Sequence, residues 1–212
     1  MAVPERVVIS GAGCCTALGH DLDSVARSLR EGRDAFRASG ALEGLSVCPA
    51  EDWGQDEARQ QFEGWRHRHY LTRGSRMAVL SGLRALRDAG LEAGLPVRSQ
   101  IIAAVGPMLD VTGEPGLPPQ DTATLGALWL LRWLPNTAAG ALARFARCHG
   151  EALTVNAACA SALQALGEGW RRIRFGLADA VLVAAGDSRL SLGGLLGYHK
   201  ARALSLCAPG TG

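Results

Sequence analysis

Neither sign of charge dominates this chain. Its 212 residues carry 22 Lys and Arg against 20 Asp and Glu, a formal net charge of +2. That balance leaves no electrostatic footprint for nucleic acid. Paired cysteines are missing too. The six cysteines are scattered without CxxC spacing, which argues against zinc and gives no disulfide framework, so a reducing, cytoplasmic setting is expected. No apolar run reaches the length of a membrane span, because Arg132 or a glycine interrupts each one. Met1 to Glu5 leads straight into VVISGAG with no basic start and no cleavage site, so no signal peptide is expected. GAGCCTALG puts glycines after an apolar run but lacks GxGxxG spacing, so no dinucleotide cofactor is expected. Tandem repeats are absent as well.

What is present is 48% apolar residues, rich in Ala, Leu and Gly, a composition that suits helices packed closely on a sheet. VVISGAG (Val7 to Gly13) reads as a buried strand and its turn. A helix follows, capped by Asp21 or Asp23 and running to Gly32. Residues 40–70 are polar and aperiodic, which predicts a surface excursion. Ser75 to Gly90 spaces Met77, Leu80, Leu83 and Leu86 at helical intervals. IIAAVGPM is the second strand and GEPGLPP a turn-rich loop, with helical material from Thr122 to Leu134 and from Asn136 to Cys148. EALTVNAA is the third strand, Ser161 to Leu177 a helix, and AVLVAAGD the fourth strand. Buried strands alternating with helices predict an α/β fold with a mainly parallel sheet and helices on both faces.

Cys159, in NAACASALQALGEGW, stands where the third strand gives way to a helix. A cysteine at a helix start meets unpaired backbone N–H groups and the positive end of the helix dipole, both of which favour thiolate chemistry. Ala158 and Ala160 leave room for a thioester, and the nearby N–H groups suit a developing oxyanion. The competing reading is a small buried residue filling a gap. Cys14, Cys15, Cys48, Cys148 and Cys207 are assigned that buried role.

The text around Cys159, VNAACASALQALGEGWRRIRFGLADAVLVAAGD, resembles the nucleophile region of β-ketoacyl-acyl-carrier-protein synthases (ketosynthases), the condensing enzymes of fatty acid and polyketide synthesis. VVISGAGCCTALGHDLDSVARSLREGRDAF is similar to the family's opening strand, turn and helix; SRMAVLSGLRALRDAGL to its next long helix; LPNTAAGALARFARCHGEALTVNAAC to its approach to the nucleophile; ARALS to a segment beyond it. The resemblance implies the N-terminal half of a thiolase-like fold over residues 1–212, with Cys159 as acyl acceptor and oxyanion N–H. It implies no bound cofactor, acyl groups arriving on the phosphopantetheine arm of an acyl carrier protein.

The family's second half, with its two histidines, lysine and second oxyanion N–H, is expected to be absent. His20, His67, His69, His149 and His199 stand outside those motifs. Ala157 and Ala158 replace the usual Thr-Ala, Ser188 stands where an acid is expected, and the Gly-rich turn reads GPMLDV. His67 and His69, two apart, diverge rather than forming a metal pair. Trp129 and Trp133, four apart, read as core or interface, and Arg171, Arg172 and Arg174 as a solvated helix end before a carrier-protein contact. Two functions follow from the resemblance. One is a chain-length-factor-like subunit, paired with a full-length ketosynthase or with itself, in fatty acid or polyene-type polyketide elongation. The other is the N-terminal part of a catalytic condensing enzyme. The helix beginning SALQALGEGW is apolar nearly all round, so an exposed apolar face seeking a second chain is expected. The strand EALTVNAA, which in the family pairs across a dimer axis, is expected to leave an open edge.

Overall fold

A computed structural model describes residues 6–40, 42–51, 53–106 and 127–206. In chain order its elements are α1 (Leu22–Arg30), β1 (Arg37–Ala38), β2 (Ser46–Val47), α2 (Gln55–Gln61), α3 (Arg73–Asp88), β3 (Ser99–Val105), α4 (Thr137–Phe145), β4 (Ala152–Thr154), α5 (Ser161–Arg174), β5 (Ala180–Gly186) and α6 (Leu192–Lys200). Short 3-10 turns cover Arg68–Tyr70, Trp129–Arg132 and Ala158–Ala160. The expected loop at 113–119, the start of the helix expected from Thr122, and Cys207 lie outside the described residues.

The centre is a parallel sheet in the order β4-β3-β5. Ile101 pairs with Ala152 on one side of β3 and Leu182 on the other, so the three strands end at the same edge. Side chains along β3 alternate between two packed faces, as a period of two requires. Ile101 and Ala103 join Val79, Leu80, Leu83, Ala139 and Leu142 of α3 and α4 in the main core. Ile102 and Ala104 face the other way, onto Ala165 of α5. Ile101 and Ile102 are both fully buried, a contribution of about 2–3 kcal/mol each. The α/β class and the helices on both faces are therefore as expected.

Local chemistry explains the helix starts. Asp21 caps α1, its Oδ1 accepting the Ser24 N–H at 2.7 Å while Ser24 Oγ accepts the Asp21 N–H. Thr72 caps α3 by accepting the Ser75 N–H, and Gly90, with φ +69°, turns the chain out beyond its end.

The sequence expectation fails in several places. Val7 to Gly13 forms no strand: among the described residues it joins no ladder, and Val8 and Ile9 are exposed. Its glycines instead bring this segment against α3. A Cβ on Gly11 would lie 2.3 Å from the Ala85 carbonyl oxygen, and one on Gly13 2.3 Å from that of Ser81. Residues 40–70 are also more than a surface excursion. Trp53 and Phe62 are about as buried as the sheet, and Phe62, Trp65 and Phe145 pack ring to ring. Their spacing follows no helical or strand period because they lie on short elements and turns. Finally, α6 has no counterpart in the sequence reading; Ser191 caps it by accepting the Gly194 N–H.

Candidate functional site

Cys159 sits in the short 3-10 turn that joins β4 to α5, at the C-terminal edge of the sheet, and it is exposed. The preceding residue, Ala158, has φ +49°, a left-handed conformation that L residues with a Cβ seldom adopt. Ser161 holds the turn in that shape. Its hydroxyl accepts the Ala157 N–H at 2.7 Å and donates to the Ala158 carbonyl at 2.7 Å. The Ala160 N–H closes the turn onto the Ala157 carbonyl. The outcome is a sharp strand-to-helix bend that lifts one thiol into solvent at the start of a 14-residue helix.

The remaining described cysteines divide. Cys148 is buried, its Sγ donating to the Ser99 carbonyl, as expected. Cys14 and Cys15 are half-buried beside Arg84, which donates to the Cys14 carbonyl at 2.8 Å and approaches Cys15 Sγ at 3.1 Å. Burial foremost pushes both thiols up. Cys48 departs from expectation: it is exposed, because the short β1–β2 hairpin carries it along the surface. Partial burial and then Asp34 raise its pKa.

No histidine is hydrogen-bonded to Cys159 among the described residues. His149 precedes β4 and so lies at the opposite end of that strand. His67 and His69 both pack on the ring of Tyr70, rather than diverging as expected. No group of three His, Cys, Asp or Glu side chains is placed to hold a metal among the described residues. Trp129 opens a 3-10 turn, rather than an α-helix, and Trp133 follows its end; both are half-buried, with Leu128, Leu130 and Leu134 exposed beside them. Arg171 and Arg172 are drawn into the protein's own ion pairs, with Glu168 and, for Arg172, also Glu151; Arg172 donates a further hydrogen bond to Gln100 Oε1. Ser188 follows Asp187, whose carboxylate accepts from the Ser188 N–H and Arg189 Nε.

A family model for the β-ketoacyl synthase N-terminal domain matches residues 4–209. The chain belongs to this family. Nodulation protein E of Rhizobium leguminosarum bv. trifolii is 27% identical over 226 residues, covering 97% of this chain and 53% of the relative. The 3-oxoacyl-(acyl-carrier-protein) synthase 1 of Escherichia coli K12 is 26% identical over 193 residues, covering 86% and 47%. Among solved structures, the ishigamide ketosynthase/chain length factor matches with a TM-score of 0.75 at 24% identity, over 96% of this chain and 52% of that one. The fold is thus the thiolase-like one of ketosynthases. The chain spans about half the length of the relatives it matches.

One group of side chains escaped the sequence reading. Arg68, Arg76 and Arg132 come together between the first and second 3-10 turns and α3. Arg132 reaches a carbonyl 63 residues away, and no local pattern announces a contact of that range. The run WRHRHY drew attention to its histidines, whereas the feature that converges is an arginine.

Proposed function

We propose that this β-ketoacyl synthase domain acts as a ketosynthase-like subunit. It pairs with a full-length β-ketoacyl-acyl-carrier-protein synthase in fatty acid or polyketide chain elongation, in the manner of a chain-length factor. The observation that carries the reading is an apolar groove that no described residue covers. Residues 6–11, the end of α3, α5 and β5 enclose about 750 Å³. Ile9, Leu163, Leu166, Trp170 and Val181 line it, and Ile9 is 77%, Leu163 76% and Trp170 50% exposed. On its inner side α5 buries Ala165 against the sheet; on its outer side these large apolar groups face solvent. A helix apolar on both sides is built to be covered on both. β5 is also an edge strand in the described sheet, which invites a further strand. A second α/β chain supplies a cover for the helix and a neighbour for the edge in one contact. In this reading acyl groups arrive on a carrier protein, and the chain needs no cofactor of its own.

A second reading is favoured by the turn at Cys159. In a catalytic β-ketoacyl-acyl-carrier-protein synthase whose N-terminal part this is, the Cys159 thiolate attacks the thioester carbonyl of an acyl-phosphopantetheine. Backbone N–H groups, that of Cys159 among them, stabilise the oxyanion. The pantetheine thiolate leaves, and the acyl group stays on Cys159 for decarboxylative Claisen condensation. Condensation also requires support for the carbanion formed on decarboxylation, a role for which none of the five histidines is placed in the family's motifs. The purified chain, given acyl and malonyl carrier proteins, is therefore expected to yield no β-ketoacyl product. Robust turnover that disappears in Cys159→Ala would instead establish a complete enzyme. Co-purification with a candidate ketosynthase tests the pairing directly.

A further inference from the structure

Arg68, Arg76 and Arg132 come from three separate elements and meet without a counter-charge among the described residues. Arg68 opens the first 3-10 turn, Arg76 lies one turn into α3, and Arg132 ends the second 3-10 turn. Each guanidinium is oriented by a backbone carbonyl. Arg76 Nη2 donates to Arg68 O at 3.3 Å, Arg132 Nη1 to His69 O at 3.2 Å, and Arg68 Nη1 to Trp65 O at 3.2 Å. Those carbonyls fix direction but carry no net charge.

Several other arginines of this chain are neutralised. Arg84 and Arg87 share Glu57, Arg172 has Glu151 and Glu168, and Arg37 has Glu51. Among the described residues no carboxylate pairs with Arg68, Arg76 or Arg132. Two of the three also keep a donor in reserve: the Nε of Arg76 and the Nε of Arg132 are buried and unpartnered. Burial, and then the charges of Arg132 and Arg68, pull the pKa of Arg76 down. Gathering three cations, two of them partly buried with an unused Nε donor, is unfavourable by itself, and an anion at their meeting point reverses the sign.

We infer that Arg68, Arg76 and Arg132 form a binding site for a phosphate group. A phosphate fits better than a carboxylate on two counts. It brings a charge of about −1.5 to −2 near neutral pH, against −1 for a carboxylate. Its several oxygens can also accept from forked guanidinium donors on more than one side. The groove beside α5 plays no part, so this site stands whether or not the proposed pairing does.

Calorimetric titration of inorganic phosphate into the 212-residue chain, in low-salt buffer free of other oxyanions, is the test. Saturable binding is expected, weakened about tenfold or more by Arg132→Gln and by Arg68→Gln. Phosphate should also raise the melting temperature of the unsubstituted chain more than chloride does at equal ionic strength, and both variants should lose that rise. A parallel titration with glycerol phosphate separates sources: tighter binding than inorganic phosphate assigns the site to an organic ester, equal or weaker binding to the free ion. Absence of saturable binding, or binding that both variants leave unchanged, overturns the site. Arg68 is exposed, so its substitution keeps the test open if Arg132→Gln fails to fold. A variant that melts lower yet keeps its phosphate response marks a purely structural arginine and overturns the site as well.

Discussion

Ala158 bears the conformational cost of the bend that presents Cys159. With φ +49°, its Cβ is held in a region that glycine enters without penalty, at a cost of about 1 kcal/mol. Ala158→Gly should therefore leave stability unchanged or raise it by up to about 1 kcal/mol, while the β-branched Ala158→Val should lower it by more than about 1 kcal/mol. Urea unfolding of the two variants checks the sign. A loss in both would mean that the bend is not held in the left-handed region. The same geometry ranks the thiols. Cys159 is exposed, whereas Cys148 is buried and the thiols of Cys14, Cys15 and Cys48 are held up by partial burial and nearby charge. Brief iodoacetamide treatment at neutral pH, read by mass spectrometry, should label Cys159 ahead of those four; a Cys159 slower than Cys48 contradicts the acyl-acceptor role. Glu57 offers a pH signature. Burial works to raise its pKa, but hydrogen bonds from Arg84 and Arg87 outweigh this and hold it below the ordinary glutamate value. Its ion pair with Arg84 is partly buried, at 2.6 Å. A depressed folded pKa means stability that is present above the unfolded value, near 4.5, and lost as pH falls through the folded one. Glu57→Gln should cost about 1–2 kcal/mol at pH 7 and flatten the acid limb of the stability profile. An acid limb unchanged by the substitution would show the pair to be inert.

At the scale of elements, α5 is where packing and function separate. Its inner face is fixed by Ala165 over Ile102, both fully buried, and Ile102→Ala should cost about 2–5 kcal/mol. On its outer face, Leu163→Gln should cost the isolated chain less than about 0.5 kcal/mol, because the side chain is already in water. The same substitution should weaken co-purification with a partner ketosynthase. A large loss of stability in Leu163→Gln alone would mean that α5 is already covered within the chain. Long amphipathic helices and apolar strands were legible in the sequence because their periods are read directly: α3, α5, β3 and β5 all fall where Leu, Val and Ile recur at the expected spacing. The Val7 to Gly13 segment misled for a physical reason. An apolar run reports a need for burial, not a partner, and here the run lies along α3 without a ladder. The aromatics of residues 53–65 were missed for the converse reason, since short elements bury single large rings that leave no period.

On the scale of the whole molecule, the position of Cys159 was legible because one strand-to-helix junction is local in sequence, whereas Arg68, Arg76 and Arg132 meet only through the fold. The central proposal is that this β-ketoacyl synthase domain is completed by another chain. It rests on apolar surface that no described part of the protein covers: Leu163, Leu166 and Trp170 on α5, Val8 and Ile9 across the groove, and the edge of β5 between them. Covering a helix face and a strand edge together calls for an obligate interface of about 2,000 Å² or more. Sedimentation velocity of the chain expressed alone, with a hydrophobic dye present, tests this most directly. The account predicts self-association and dye binding at micromolar concentration, both abolished when a ketosynthase partner is co-expressed. A monodisperse monomer that melts cooperatively and binds no dye would contradict it.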